Sequence, residues 1–120
     1  MYATNGVINT SDRREKQNIQ ELNYGIKEVM QLRPVSFTWI RHPGQGTQLG
    51  FIAQDVESVI NEAVVKPSVS PEKKGEGLYG LNYSEIIPVL TKAIQEQEVQ
   101  IEAQEKQIKE LQRIVKANRH

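Results

Sequence analysis

The sequence predicts an α+β chain in two parts: a small mixed head of short strands and helices, then one long C-terminal helix made for a coiled coil. Three observations predict it. Ile87, Ile94, Ile101, Ile108 and Val115 recur every seven residues, with Leu90, Gln97, Gln104, Leu111 and Asn118 at the second seam position. Val35-Ser36-Phe37-Thr38-Trp39-Ile40 alternates apolar and polar in β-forming residues. Between these stretches, short apolar runs at helical spacing are broken by Gly and Pro before they can grow long.

In chain order, Asn5-Gly6 signals a turn and Val7-Ile8 a short strand. Ser11 to Gln20 is polar and is expected on the surface. Leu22, Ile26, Val29, Met30 and Leu32 fall at helical spacing, interrupted at Gly25, with Met30 expected in the core. Pro34 disfavours helix at the residue before it, which ends this helix near Leu32. The strand over 35–40 should bury Val35, Phe37 and Trp39. A loop, Arg41 to Gly46, joins it to a hairpin partner at Leu49 to Ile52. Asp55 introduces a short helix, Val56 to Asn61, with Val56, Val59 and Ile60 inward. Val64-Val65 is a brief strand, Lys66 to Gly77 a surface loop carrying Lys73-Lys74, and Leu78, Tyr79 and Leu81 return to the core.

The last helix begins near Glu85. Pro88 fits only a first turn, and Asn82 with Glu85 three residues on has the spacing of a capping box. No breaker follows until about Asn118, so the helix should run roughly 50 Å, beyond what the head can cover. β-branched residues at the first seam position suit two or three strands. Gln97 and Gln104 can hydrogen-bond around the axis and fix register, and the flanking Gln100, Gln107 and Gln112 offer no salt bridges.

Composition narrows the function. Hydrophobic residues make up 38% of the chain, too few to give the head of about 80 residues a comfortable core alone, so association is expected to supply burial. Acidic and basic residues balance at 15 each, which indicates neither nucleic acid nor membrane as partner. There is no cysteine for a disulfide or thiolate metal site, no apolar run long enough to span a membrane and no visible signal peptide, and the chain reads as soluble. His42 has no companion ligand at metal spacing and is expected to be a solvated loop residue; no metal or cofactor is implied. Gly44 and Gly46 lack a phosphate-binding pattern.

One polar stretch carries chemistry. Ser11 and Lys16 lie five residues apart, and a serine becomes a nucleophile when a neutral lysine takes its proton. The stretch Ser11-Asp12-Arg13-Arg14-Glu15-Lys16-Gln17-Asn18-Ile19 is followed by Gly25-Ile26, by Leu32 to Trp39, by Gly50-Phe51-Ile52-Ala53-Gln54-Asp55-Val56, and by Leu81-Asn82-Tyr83 before the long helix. From about Ile8 to the end, this ordered set resembles the intramolecular chaperone autoprocessing domain, or S74 peptidase domain. That domain sits at the C-terminus of phage tailspikes and tail fibres, and a relative occurs in a eukaryotic membrane-bound transcription factor family. Glu15 stands where the family usually carries an apolar residue.

The resemblance implies a Ser11–Lys16 dyad that cuts between Thr10 and Ser11. It implies that residues 1–10 are the remnant of a fibre passenger, 11–83 the autoprocessing head and 84–120 the coiled-coil helix. The partners implied are two further copies, in a homotrimer, and the upstream stalk of the same precursor, during phage assembly in the host cytoplasm. The seam is then Ile87, Leu90, Ile94, Gln97, Ile101, Gln104, Ile108, Leu111 and Val115. A catalytic lysine needs its pKa depressed by roughly 2–4 units, by burial or by cations such as Arg13 or Arg14, whereas Asp12 and Glu15 oppose this. Asp12, Arg13 and Gln54 are candidate supporting residues, with Gln54 and the backbone near Gly50 as candidate oxyanion donors.

Overall fold

A computed structural model describes residues 9–67 and 77–119. The expected strand at Val7-Ile8, most of the expected passenger remnant and the Lys73-Lys74 loop lie outside the described residues. The fold is mixed, as the sequence predicts: short helices and two-stranded sheets, then a helix of 32 residues.

Helix α1 is a single turn, Ile26–Val29. Its N-terminal amides are satisfied from two places. Gly25 N–H donates to Glu28 Oε1 at 2.7 Å, and Ile26 N–H donates to Glu96 Oε1, seventy residues on, at 2.8 Å. The next turn tightens, with Gln31 and Leu32 bonding three residues back to Glu28 and Val29, because Pro34 closes the α region to the residue before it. The helix expected over 22–32 is therefore shorter. Leu22, Val29 and Leu32 still pack on the core, but Met30 turns out to solvent, 76% exposed, which corrects the expected stripe.

Strand β1 (Val35–Phe37) pairs antiparallel with β2 (Gln48–Gly50), Val35 opposite Gly50 and Phe37 opposite Gln48. The hairpin is as expected but shorter, since β2 offers only three residues to pair. Trp39 lies beyond the ladder and is 49% exposed rather than buried, its ring edge-on to Phe37 at 4.9 Å. His42 lies in the exposed connection, ahead of a 3₁₀ turn at Pro43–Gln45. Glycine is required at position 50, because the Tyr83 hydroxyl stands where a Cβ would be and receives the Phe51 N–H at 3.2 Å.

Helix α2 (Ala53–Glu57) starts two residues before Asp55 and gives way to a 3₁₀ turn at Asn61–Ala63. Strand β3 (Val64–Val65) then pairs antiparallel with β4 (Gly80–Leu81). Leu81 reaches the core as expected, but Leu78 and Tyr79 precede the paired residues and stay exposed.

Helix α3 (Ile86–Ala117) follows a 3₁₀ turn at Tyr83–Glu85. The expected capping box is absent. Asn82 Oδ1 instead accepts the Ser84 hydroxyl at 2.6 Å, and Glu85 is already helical in backbone. The core is Val56, Ile60, Ala63, Ile86, Val89 and Ala93, so the first turns of α3 supply half of it. Beyond Ala93 every described residue of the helix is exposed. At 1.5 Å per residue, α3 is about 48 Å long, and most of that length stands off the head. No described helix is long and apolar enough to cross a membrane.

The Glu96 contact ties rod to head and can be tested. A Cβ at Gly25 would overlap the Glu96 carboxylate, so Gly25→Ala should expel it and cost about 1–2 kcal/mol, the worth of a lost helix cap. Urea unfolding at fixed protein concentration measures this. Unchanged stability would show that Glu96 does not hold α1.

Candidate active site

Two residues five apart in an extended chain are roughly 17 Å apart, too far for a serine and a lysine to touch. A turn must fold the stretch back, and Asp12 nucleates it. Asp12 precedes a 3₁₀ turn at Arg13–Glu15, and its Oδ1 accepts the Arg14 N–H at 2.8 Å. Glu15 N–H donates to Asp12 C=O at 3.0 Å and Lys16 N–H to Arg13 C=O at 3.1 Å. Lys16 then leaves in an extended conformation and its side chain returns to Ser11, where Nζ donates to Oγ at 2.6 Å. The spacing seen in the sequence is thus a contact in the fold.

Arg14 folds over the same carboxylate. Its Nε donates to Oδ1 at 3.1 Å and its Nη2 to Oδ2 at 2.8 Å. These bonds hold the Asp12 carboxyl below the usual carboxylate range, the side-chain pair contributing most and the Arg14 N–H next. The same pair raises the Arg14 guanidinium above its ordinary value. Asp12 is therefore engaged by Arg14 and not by Lys16, and Arg14 is not a bare cation facing the amine. Arg13 contributes its carbonyl to the turn. The importance of Arg14 beside Asp12 is the feature that reading the sequence missed; an acidic N-cap two residues before an arginine was the available signal.

All of 9–21 is exposed, the dyad included. Asn18 sits in the left-handed region at φ 56°. Asparagine tolerates that conformation better than most residues. Gln54 lies elsewhere, at a groove beside the hairpin lined by Phe37, Trp39, Phe51 and Tyr83. Among the described residues, no hydrogen bond joins it to Ser11 or Lys16. The backbone near Gly50 is committed to the β1–β2 ladder.

The expected seam of α3 is apolar surface left exposed on the single chain. Ile87, Leu90, Ile94, Ile101, Ile108, Leu111 and Val115 are all exposed on the single chain; Ile94 is 65% exposed and Leu111 61%. Ile87, Leu90 and Ile94 each follow by one residue the buried Ile86, Val89 and Ala93, so at this end of the helix the row borders the stripe that faces the head. Gln97 and Gln104 sit within the row.

The Asp12 cap has a definite pH dependence. Its folded pKa is lowered, so its contribution to the turn is complete above the ordinary carboxylate pKa and is lost as pH falls through the lowered one. The Arg14 amide proton should titrate in NMR with a midpoint below the usual carboxylate range, and Arg14→Gln should move that midpoint up. A midpoint at the ordinary aspartate value in the unaltered protein would mean the clamp does not form.

Residues 11–65 match the model of the peptidase S74 family, described as chaperone of endosialidase. No curated protein matches the chain. The matched segment opens on Ser11 and contains the whole Asp12–Lys16 turn, the hairpin, α2 and β3.

Proposed function

Residues 11–65 belong to the S74 chaperone-of-endosialidase family, and from that premise we propose that the chain is a C-terminal intramolecular chaperone that cuts itself from its passenger. In this reading α3 assembles three copies along its seam. Upstream fibre segments are thereby held side by side, which removes much of the entropy cost of bringing three chains into register. Cleavage then makes the gain kinetic, because the assembled fibre cannot unwind by the route that built it. The setting is a phage-type tail fibre or tailspike assembling in the host cytoplasm.

The observation that carries the peptidase part is the 2.6 Å contact of Lys16 Nζ with Ser11 Oγ. Ser11 Oγ attacks the carbonyl carbon of Thr10 while neutral Lys16 takes the hydroxyl proton. The C–N bond breaks as Lys16 passes that proton to the leaving amine of Ser11, giving an ester between Thr10 and Ser11 Oγ. One water hydrolyses the ester, freeing a carboxylate at Thr10 and restoring the serine. An amine exposed to water is protonated near neutrality. The upstream stalk and neighbouring copies, by covering the turn, would favour the neutral form.

The exposure of the dyad also favours a second reading, a trimerisation or adaptor module that never cleaves. A precursor carrying the native upstream stalk separates the two. The peptidase reading expects a fragment beginning at Ser11 by N-terminal sequencing, no cleavage in Ser11→Ala or Lys16→Ala, and a rate that climbs with pH as the amine loses its proton. A fragment starting elsewhere removes the assignment, and a rate flat from about pH 5 to 9 would mean that Lys16 is neutral throughout that range or is not the base. An intact precursor in assembled trimers favours the adaptor.

A further inference from the structure

We propose that Asp12 and Arg14 form a clamp that positions Lys16 on Ser11 and keeps the Asp12 carboxylate from taking the lysine for itself. The inference rests on the dyad reading above. The turn at 13–15 buries no residue and is held by two backbone hydrogen bonds, so no core enforces it. A single turn of so few residues is marginal in water without capping. Three hydrogen bonds from Arg14 to Asp12 supply what the core does not. They fix the turn from which Lys16 leaves, and a dyad held in reacting geometry gains most of its advantage from that placement.

The clamp has a second consequence. Asp12 adjoins Ser11 and lies four residues before Lys16, so an unengaged carboxylate could compete with the serine hydroxyl for the ammonium. An ion pair there would hold the amine protonated and away from Ser11. Arg14 takes both carboxylate oxygens in a two-pronged pair, the geometry at which guanidinium outcompetes ammonium. Removing Arg14 should therefore harm the reaction in a way that neutralising Asp12 partly repairs, which a purely structural cap would not do.

The test is single-turnover cleavage of the precursor, normalised to trimer content by light scattering, with the Ser11 β to Lys16 ε NOE measured in the same variants of the 120-residue chain. Asp12→Ala should cleave about five- to tenfold more slowly and lose the NOE, matching the loss of one helix-type cap. Arg14→Gln should slow cleavage at least as much. Adding Asp12→Asn to Arg14→Gln should recover part of that loss, because asparagine still caps the Arg14 position but carries no charge. Asp12→Ala cleaving at the unaltered rate, an NOE that survives it, or a double variant slower than Arg14→Gln alone would each overturn the clamp. If no protein cleaves while the NOE still depends on Asp12, the peptidase reading has failed, but the clamp's placement of Lys16 on Ser11 stands.

Discussion

Ile86, Val89 and Ala93 enter the head from the first turns of α3 and close a core to which the other described residues contribute only Val56, Ile60 and Ala63 as fully buried apolar residues. Each full burial of a Val or Ile is worth about 1.5–3 kcal/mol, so a core of four such residues and two alanines has little in reserve. Leu22, Val29, Leu32 and Phe51 pack around it without being sealed. The hold of α3 on the head therefore conditions everything else. It orders α1 through the Glu96 contact with Ile26, and the 3₁₀ turn just before α3 holds the residue after β2 through the Tyr83 hydroxyl, which accepts the Phe51 N–H. The same helix leaves Ile87, Leu90 and Ile94 exposed beside the stripe that grips the head.

The Ser11–Lys16 turn follows the opposite construction. Nothing in it is buried, and its order comes from short-range hydrogen bonds between Asp12, Arg14 and the backbone. Such a segment can accept a peptide strand at its own N-terminal edge, where Thr10 adjoins the serine, without breaking a core. Its cost is sensitivity to salt, since an exposed charged pair is screened as ionic strength rises. In the proposed trimer, the passenger and neighbouring copies would exclude water, so chemistry and assembly would be linked through burial.

Much of this was legible in the sequence because it depends on local periodicity. The hairpin expected over 35–40 and 49–52 reappears in shortened form at 35–37 and 48–50, and the inward Val56 and Ile60, the strand at Val64-Val65, the uninterrupted last helix and the five-residue Ser–Lys spacing reappear as well. What was not legible depends on tertiary partners. Met30 has core spacing, but α1 lasts one turn and points it outward. Leu78 and Tyr79 are apolar, yet only Gly80 and Leu81 find strand partners. Asn82 and Glu85 have capping-box spacing, but a 3₁₀ turn at 83–85 gives Asn82 to Ser84 instead. Glu96 sits on the exposed length of α3, and its bond to Ile26, seventy residues away, has no signature in local pattern.

The central claim is that assembly along α3 and cleavage at Ser11 are one coupled event. Ile101→Asp tests it most directly, since residue 101 lies more than two turns beyond the last core residue, Ala93, and is exposed on the single chain. Three like charges in one seam layer should cost on the order of several kcal/mol of assembly. Trimer content by light scattering and precursor cleavage by gel, read on the same sample, are expected to fall together. Full cleavage by a chain that is monomeric would contradict the account, because the dyad would then work without the assembly proposed to complete it.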